Sequence, residues 1–82
     1  MTSSKHLTLY SRTYCHLCDD LLAALEPLRS EFAFTVEVLD VDADPALEAK
    51  YDELVPVLTA DGQELCHYFL DENAVRAYLS AP

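Results

Sequence analysis

Residues 7–18 read Leu7-Thr8-Leu9-Tyr10-Ser11-Arg12-Thr13-Tyr14-Cys15-His16-Leu17-Cys18, an apolar run that leads into two thiols three positions apart. Leu7 to Ser11 is short, apolar and preceded by a polar leader, which suits a buried central strand. Beyond the thiols, Leu17, Leu21, Leu25, Leu28 and Phe32 recur at three- and four-residue intervals, so residues 16–31 are predicted to form a helix with one apolar face. Pro27 falls inside that helix and removes a bond to the carbonyl four residues back, which predicts a kink or an early end. Two cysteines at this spacing, at a junction between strand and helix, can close a small disulfide ring and read as a redox dithiol in a reducing compartment. An ordinary structural zinc site needs a second pair of ligands, and the chain has no second Cys-x-x-Cys.

Outward from this segment the pattern alternates. Phe34 to Val41 is rich in valine and leucine, and as the next strand after a helix it is expected to lie parallel to the first through a right-handed crossover. Asp44-Pro45 predicts the start of a second helix, with aspartate at the cap, proline at the first helical position, and Leu47, Tyr51 and Leu54 on one face. Val55 to Ala60 reads as a third strand. Asp61-Gly62 is a two-residue turn signal built on the only glycine of the chain, so Gln63 to about Tyr68 is expected to return antiparallel. Asp71 can cap a last helix in which Ala74, Val75, Tyr78 and Leu79 face the sheet. The predicted order is βαβαββα, an α/β domain with a four-stranded mixed sheet and helices on both faces. In such sheets, ligands gather beyond the carboxyl ends of the parallel strands, where Cys15 falls.

Bulk composition narrows the function classes. Eighty-two residues give one domain, 1–82 with a core of about 7–79. Fifteen acidic against five basic side chains leave a formal charge of −10, which repels phosphate backbones and anionic lipid, so neither a nucleic acid nor a membrane is an expected partner. No segment has the length and apolarity of a membrane span, and Met1 to His6 holds one lysine and no apolar run, unlike a secretory signal. A cytoplasmic monomer is the expectation. Three cysteines are too few and too unevenly placed for a disulfide scaffold.

Tyr10 to Cys18, with Arg12 three positions before the first cysteine, resembles the active-site segment of glutaredoxins. Leu54-Val55-Pro56-Val57 is similar to the cis-proline segment that faces the dithiol in the thioredoxin superfamily. The resemblance runs from Leu7 to Leu79 and identifies the chain as a small glutaredoxin-like protein of thioredoxin-like fold. It implies a thiol-disulfide oxidoreductase with Cys15 as nucleophile and Cys18 as resolving thiol. It also implies Arg12 and Tyr14 as thiolate-stabilising or glutathione-contacting residues, and the backbone of Val55 and Pro56 as a binding edge for a cysteinyl substrate. Glutathione or protein disulfides are then the expected partners, with glutathione a candidate co-substrate and no cofactor or metal bound. Glutathione-binding members usually carry a glycine pair before the last helix, where this chain has His67-Tyr68-Phe69-Leu70-Asp71.

The residues carry a physical case beside the resemblance. A thiolate attacks disulfides, and a cysteine at a helix amino terminus gains about 0.3 to 2 kcal/mol as an anion from free backbone amides. Asp19, about one turn after Cys15, and its neighbour Asp20 oppose this by repulsion, unless they serve only to complement the helix dipole. His16 could favour the thiolate when protonated, or simply face solvent. Pro56 could equally be a trans proline opening a strand. Cys66 reads as a small buried hydrophobe. Two other classes stay open: a metal-binding module sharing its cysteines between chains, and a noncatalytic interaction domain.

Overall fold

Alternation along the first strand decides where the core lies. The computed structural model describes residues 5–81, so Met1 to Ser4 of the polar leader fall outside the described residues. In β1 (Lys5–Ser11), Leu7 and Leu9 are wholly buried while the residues between and after them are partly open. β1 pairs parallel with β2 (Phe34–Asp40), Leu9 opposite Val38, and antiparallel with β3 (Val57–Ala60), Leu9 opposite Leu58. β3 turns through Asp61-Gly62 into antiparallel β4 (Gln63–His67), giving the strand order β2-β1-β3-β4. Asp61 and Gly62 have φ of 53° and 78°, the doubly positive geometry that lets a two-residue hairpin follow the twist of its strands.

The second and third helices start where their aspartate caps predict, and the first starts at the expected residue 16. Cys15 caps α1 (His16–Leu25), the Asp44 carboxylate accepts the Ala46 amide at 2.9 Å to open α2 (Pro45–Tyr51), and Asp71 accepts from Ala74 at 3.1 Å to open α3 (Glu72–Ser80). Leu7, Leu9, Leu58 and Cys66 of the sheet pack with Leu21, Leu25 and Leu28 and with Val75 and Leu79 of α3 in one buried cluster. Tyr10, next in the alternation, points to the other face and stacks on Tyr51 of α2 with ring centroids 4.3 Å apart. Helices thus cover both faces of the sheet.

Boundaries differ from the sequence reading at particular residues. Residues 16–31 are not one helix: α1 ends at Leu25 and Glu26–Ser30 forms a 3-10 turn around Pro27. Pro27 has no amide to give the Ala23 carbonyl, which instead accepts from Glu26, and the tighter turn still buries Leu28. α2 stops at Tyr51, leaving Leu54 in a turn closed by its amide on the Tyr51 carbonyl at 2.8 Å. β1 begins at Lys5 rather than Leu7, β2 ends at Asp40 rather than Val41, and β3 begins at Val57 rather than Val55. β4 stops at His67 because Tyr68 swings to φ 66°. One row across the sheet, Leu39, Tyr10, Val57 and His67, marks the end from which the loop to Cys15 departs.

Candidate functional site

Cys15 leaves the strand end in an extended conformation, φ −110° and ψ 106°, as an N-cap should, and its sulfur takes the capping role usually filled by an oxygen. The Cys18 amide donates to Cys15 Sγ across 3.1 Å. The two sulfurs are joined in a disulfide, with the Cα atoms 5.2 Å apart. Cys15 is half-buried and Cys18 is 1% exposed, so only the outer sulfur is open to a partner. That asymmetry separates a thiol that can be attacked from solvent from one that can react only within the ring.

The loop before the dithiol carries strain and charge. Tyr14 sits at φ 61° with its side chain fully exposed, a left-handed conformation that costs a non-glycine residue about 1 to 2 kcal/mol. Arg12 does not stand free: its Nε lies 3.2 and 3.1 Å from the two carboxylate oxygens of Asp42, Nη2 reaches the Asp52 carboxylate, and Nη1 donates to the Asp52 carbonyl at 3.3 Å. Those hydrogen bonds, from Asp52 first and then Asp42, hold the guanidinium above its ordinary range. They tie the loop after β1 to the 3-10 turn Val41–Ala43 and to the carboxyl end of α2. His16, the first residue of α1, is exposed, and so is Asp19, whose amide donates to the Cys15 carbonyl at 3.2 Å. If the Asp19 carboxylate opposes a Cys15 thiolate, Asp19→Asn moves the thiolate absorbance midpoint of the reduced protein to lower pH; an unmoved midpoint assigns Asp19 to the helix dipole alone.

The segment before β3 has a cis Val55–Pro56 peptide, with Val55 half-buried and Pro56 buried. The Pro56 carbonyl accepts the Tyr68 amide at 2.9 Å, and the Tyr68 hydroxyl donates to the Glu53 carbonyl at 2.7 Å, so the loop after β4 is stitched to the proline segment. Asp42, Asp52 and Tyr68 escape the sequence reading: their partners are 30, 40 and about 12 to 15 positions away, with no local spacing to announce them. The one available signal was Arg12, a lone cation among acidic loops that needed a counter-charge. Cys66 pairs with Leu58 across β3 and β4, and burial pushes its thiol upward in pKa. Among the described residues no three His, Cys, Asp or Glu side chains converge as a metal site requires, and no helix is long and apolar enough to cross a membrane.

A profile of the family described as glutaredoxin-like domain (DUF836) matches residues 6–80. The chain belongs to this glutaredoxin-like family. The solution structure of a Nitrosomonas europaea protein superposes with a TM-score of 0.90 at 40% identity, covering 98% of this chain and 96% of that one. The X-ray structure of an X. campestris protein, 44% identical, gives 0.71 over 93% of this chain and 99% of that one. An uncharacterized Mycobacterium tuberculosis protein is 31% identical over 92% of this chain and 82% of its own length. This glutaredoxin-like chain, with its Cys15–Cys18 pair, is a thioredoxin-type protein of redox character.

Proposed function

We propose that the protein is a thiol-disulfide oxidoreductase in which Cys15 is the nucleophile and Cys18 the resolving thiol. The observation that carries this reading is the amide of Cys18 on the half-buried sulfur of Cys15, beside a second sulfur close enough for a disulfide and closed to solvent. A donor aimed at that sulfur, together with the helix amino terminus, stabilises a thiolate where attack must begin.

In the reducing direction the Cys15 thiolate attacks one sulfur of a disulfide, forming a mixed disulfide and expelling the other sulfur as a thiolate. Cys18 then attacks Cys15 Sγ, its proton passing to the departing thiol, and the protein disulfide closes as two electrons reach the substrate. An external thiol, glutathione or a protein dithiol, reopens the ring. The Val55 and Pro56 backbone is the proposed seat of the substrate's cysteine. Arg12, with its donors on Asp42 and Asp52, acts by fixing the loop before Cys15, and a direct hold on glutathione would require it to leave those carboxylates.

The test is equilibration across graded glutathione redox buffers, with thiols trapped and read by mass. A reversible two-electron transition of Cys15 and Cys18, or a glutathione adduct on Cys15, is the expected result. Two thiols that stay unreactive over the whole range would remove the proposal.

A further inference from the structure

We infer that the dithiol serves disulfides in cationic, apolar polypeptide segments and discriminates against glutathione disulfide. This rests on the oxidoreductase reading above and names its substrate class. The first observation is where the open apolar surface lies. Among the described residues, four large hydrophobic side chains stand exposed: Tyr14 at 100%, Phe69 at 68%, Val38 at 49% and Tyr68 at 38%. The register places the three tyrosine and phenylalanine side chains beyond one end of the sheet, and Val38 two residues inside that end on the outer strand β2. Val38 lies in the row with Leu9, Leu58 and Cys66; Tyr68 and Phe69 follow directly on His67 of the next row, and Tyr14 adjoins Cys15 beyond Ser11. None flanks the Asp61-Gly62 end. Exposed aromatic side chains gathered around a reactive group mark a surface that meets a partner larger than a tripeptide.

Backbone strain falls in the same place. Among the described residues, Tyr14 and Tyr68 are two of the three non-glycine residues with positive φ, and the third, Asp61, is in the hairpin turn where such a conformation is expected. Hydrogen bonds of the Tyr68 amide to Pro56 and of its hydroxyl to Glu53 hold that residue in its left-handed conformation beside the proline segment. Phe69 is thereby set outward on a fixed support, with its amide bonded to the His67 carbonyl at 2.8 Å.

Charge then selects the partner. The segments that build this end, 12–20, 40–44, 52–56 and 67–72, hold nine Asp and Glu, all exposed, and Arg12 as their only Lys or Arg. Arg12 is itself held by two of those carboxylates. The resulting negative field repels glutathione disulfide, which carries excess carboxylate, and attracts a segment bearing lysine or arginine. The aromatic rim supplies contact area and the field supplies encounter rate.

The experiment mixes the reduced full chain with four oxidants under stopped flow: a disulfide peptide flanked by leucine and lysine, its glutamate counterpart, glutathione disulfide, and neutral bis(2-hydroxyethyl) disulfide. At low salt the lysine peptide is expected to react about tenfold or more faster than the glutamate peptide and than glutathione disulfide, the gap closing as salt is raised. Phe69→Ser is expected to lower the ratio of lysine-peptide rate to neutral-disulfide rate several-fold. Normal reaction with the neutral disulfide but equal peptide rates would overturn this inference and leave the oxidoreductase reading intact. No reaction with any of the four would overturn both. Sedimentation of the same samples adds one further outcome: a dimer that Phe69→Ser dissolves assigns the rim to a second copy of the chain and overturns the peptide reading.

Discussion

Cys18→Ser protein, reduced and mixed with a disulfide, accumulates a mixed disulfide on Cys15 that survives in the absence of added thiol. The wild-type chain is expected to pass through the same adduct and discharge it, because the Cys18 thiol lies within reach of the Cys15 sulfur across a helical turn, with Cα atoms only 5.2 Å apart. Such proximity raises the effective concentration of the internal thiol far above any solution value. Serine keeps the shape and removes the second nucleophile, so the lifetime of the adduct, read by mass, rises by orders of magnitude. Cys15→Ser, by contrast, gives no adduct and reduces turnover to background. An adduct on Cys66 in either variant, or a trapped species in which Cys18 holds the substrate, would reverse the assigned roles.

The largest effect on stability is expected at Leu9. Its side chain is wholly buried, in a strand paired on both sides, within the cluster that joins the sheet to α3. Leu9→Ala removes its buried methyl groups and leaves a cavity, at a cost of about 2 to 5 kcal/mol. Domains of this length have a total stability of about 4 to 12 kcal/mol, so the substitution takes a large fraction of it. With about 4 to 8 °C of Tm per kcal/mol, the midpoint falls by roughly 8 to 40 °C in thermal unfolding. A loss below about 1 kcal/mol would mean that the sheet centre repacks around the gap.

Which features the sequence announced follows from the range over which each is determined. The helix start after Cys15, the Asp44-Pro45 start, the Asp61-Gly62 turn and the Asp71 cap are each settled within a few residues, by a side chain satisfying a nearby amide or a glycine taking positive φ. The element order and the fold followed from them. Pro27 was legible as an obstacle, though the continuation of the apolar stripe through a 3-10 turn depended on what Leu28 packs against. The Arg12 ion pairs were not legible, because Asp42 and Asp52 approach through tertiary packing that brings the ends of β1, β2 and α2 together. The left-handed Tyr14 and Tyr68 were hidden for the opposite reason: tyrosine gives no sign of that conformation, and at Tyr68 it is held by hydrogen bonds to the distant Pro56 and Glu53.

The third cysteine gives the molecule an internal clock. Cys66 is 8% exposed, packed among core side chains, and disfavoured as an anion by burial, so an alkylating reagent meets it only when the sheet opens. In the reduced protein, Cys15 is open to such a reagent in the native state, whereas a label on Cys66 waits on the opening of β3 and β4, at the opening rate itself once the reagent is concentrated enough to outrun reclosing. Counting labels against time therefore measures, on one sample and with one reagent, both the chemistry at the helix terminus and the lifetime of the closed sheet.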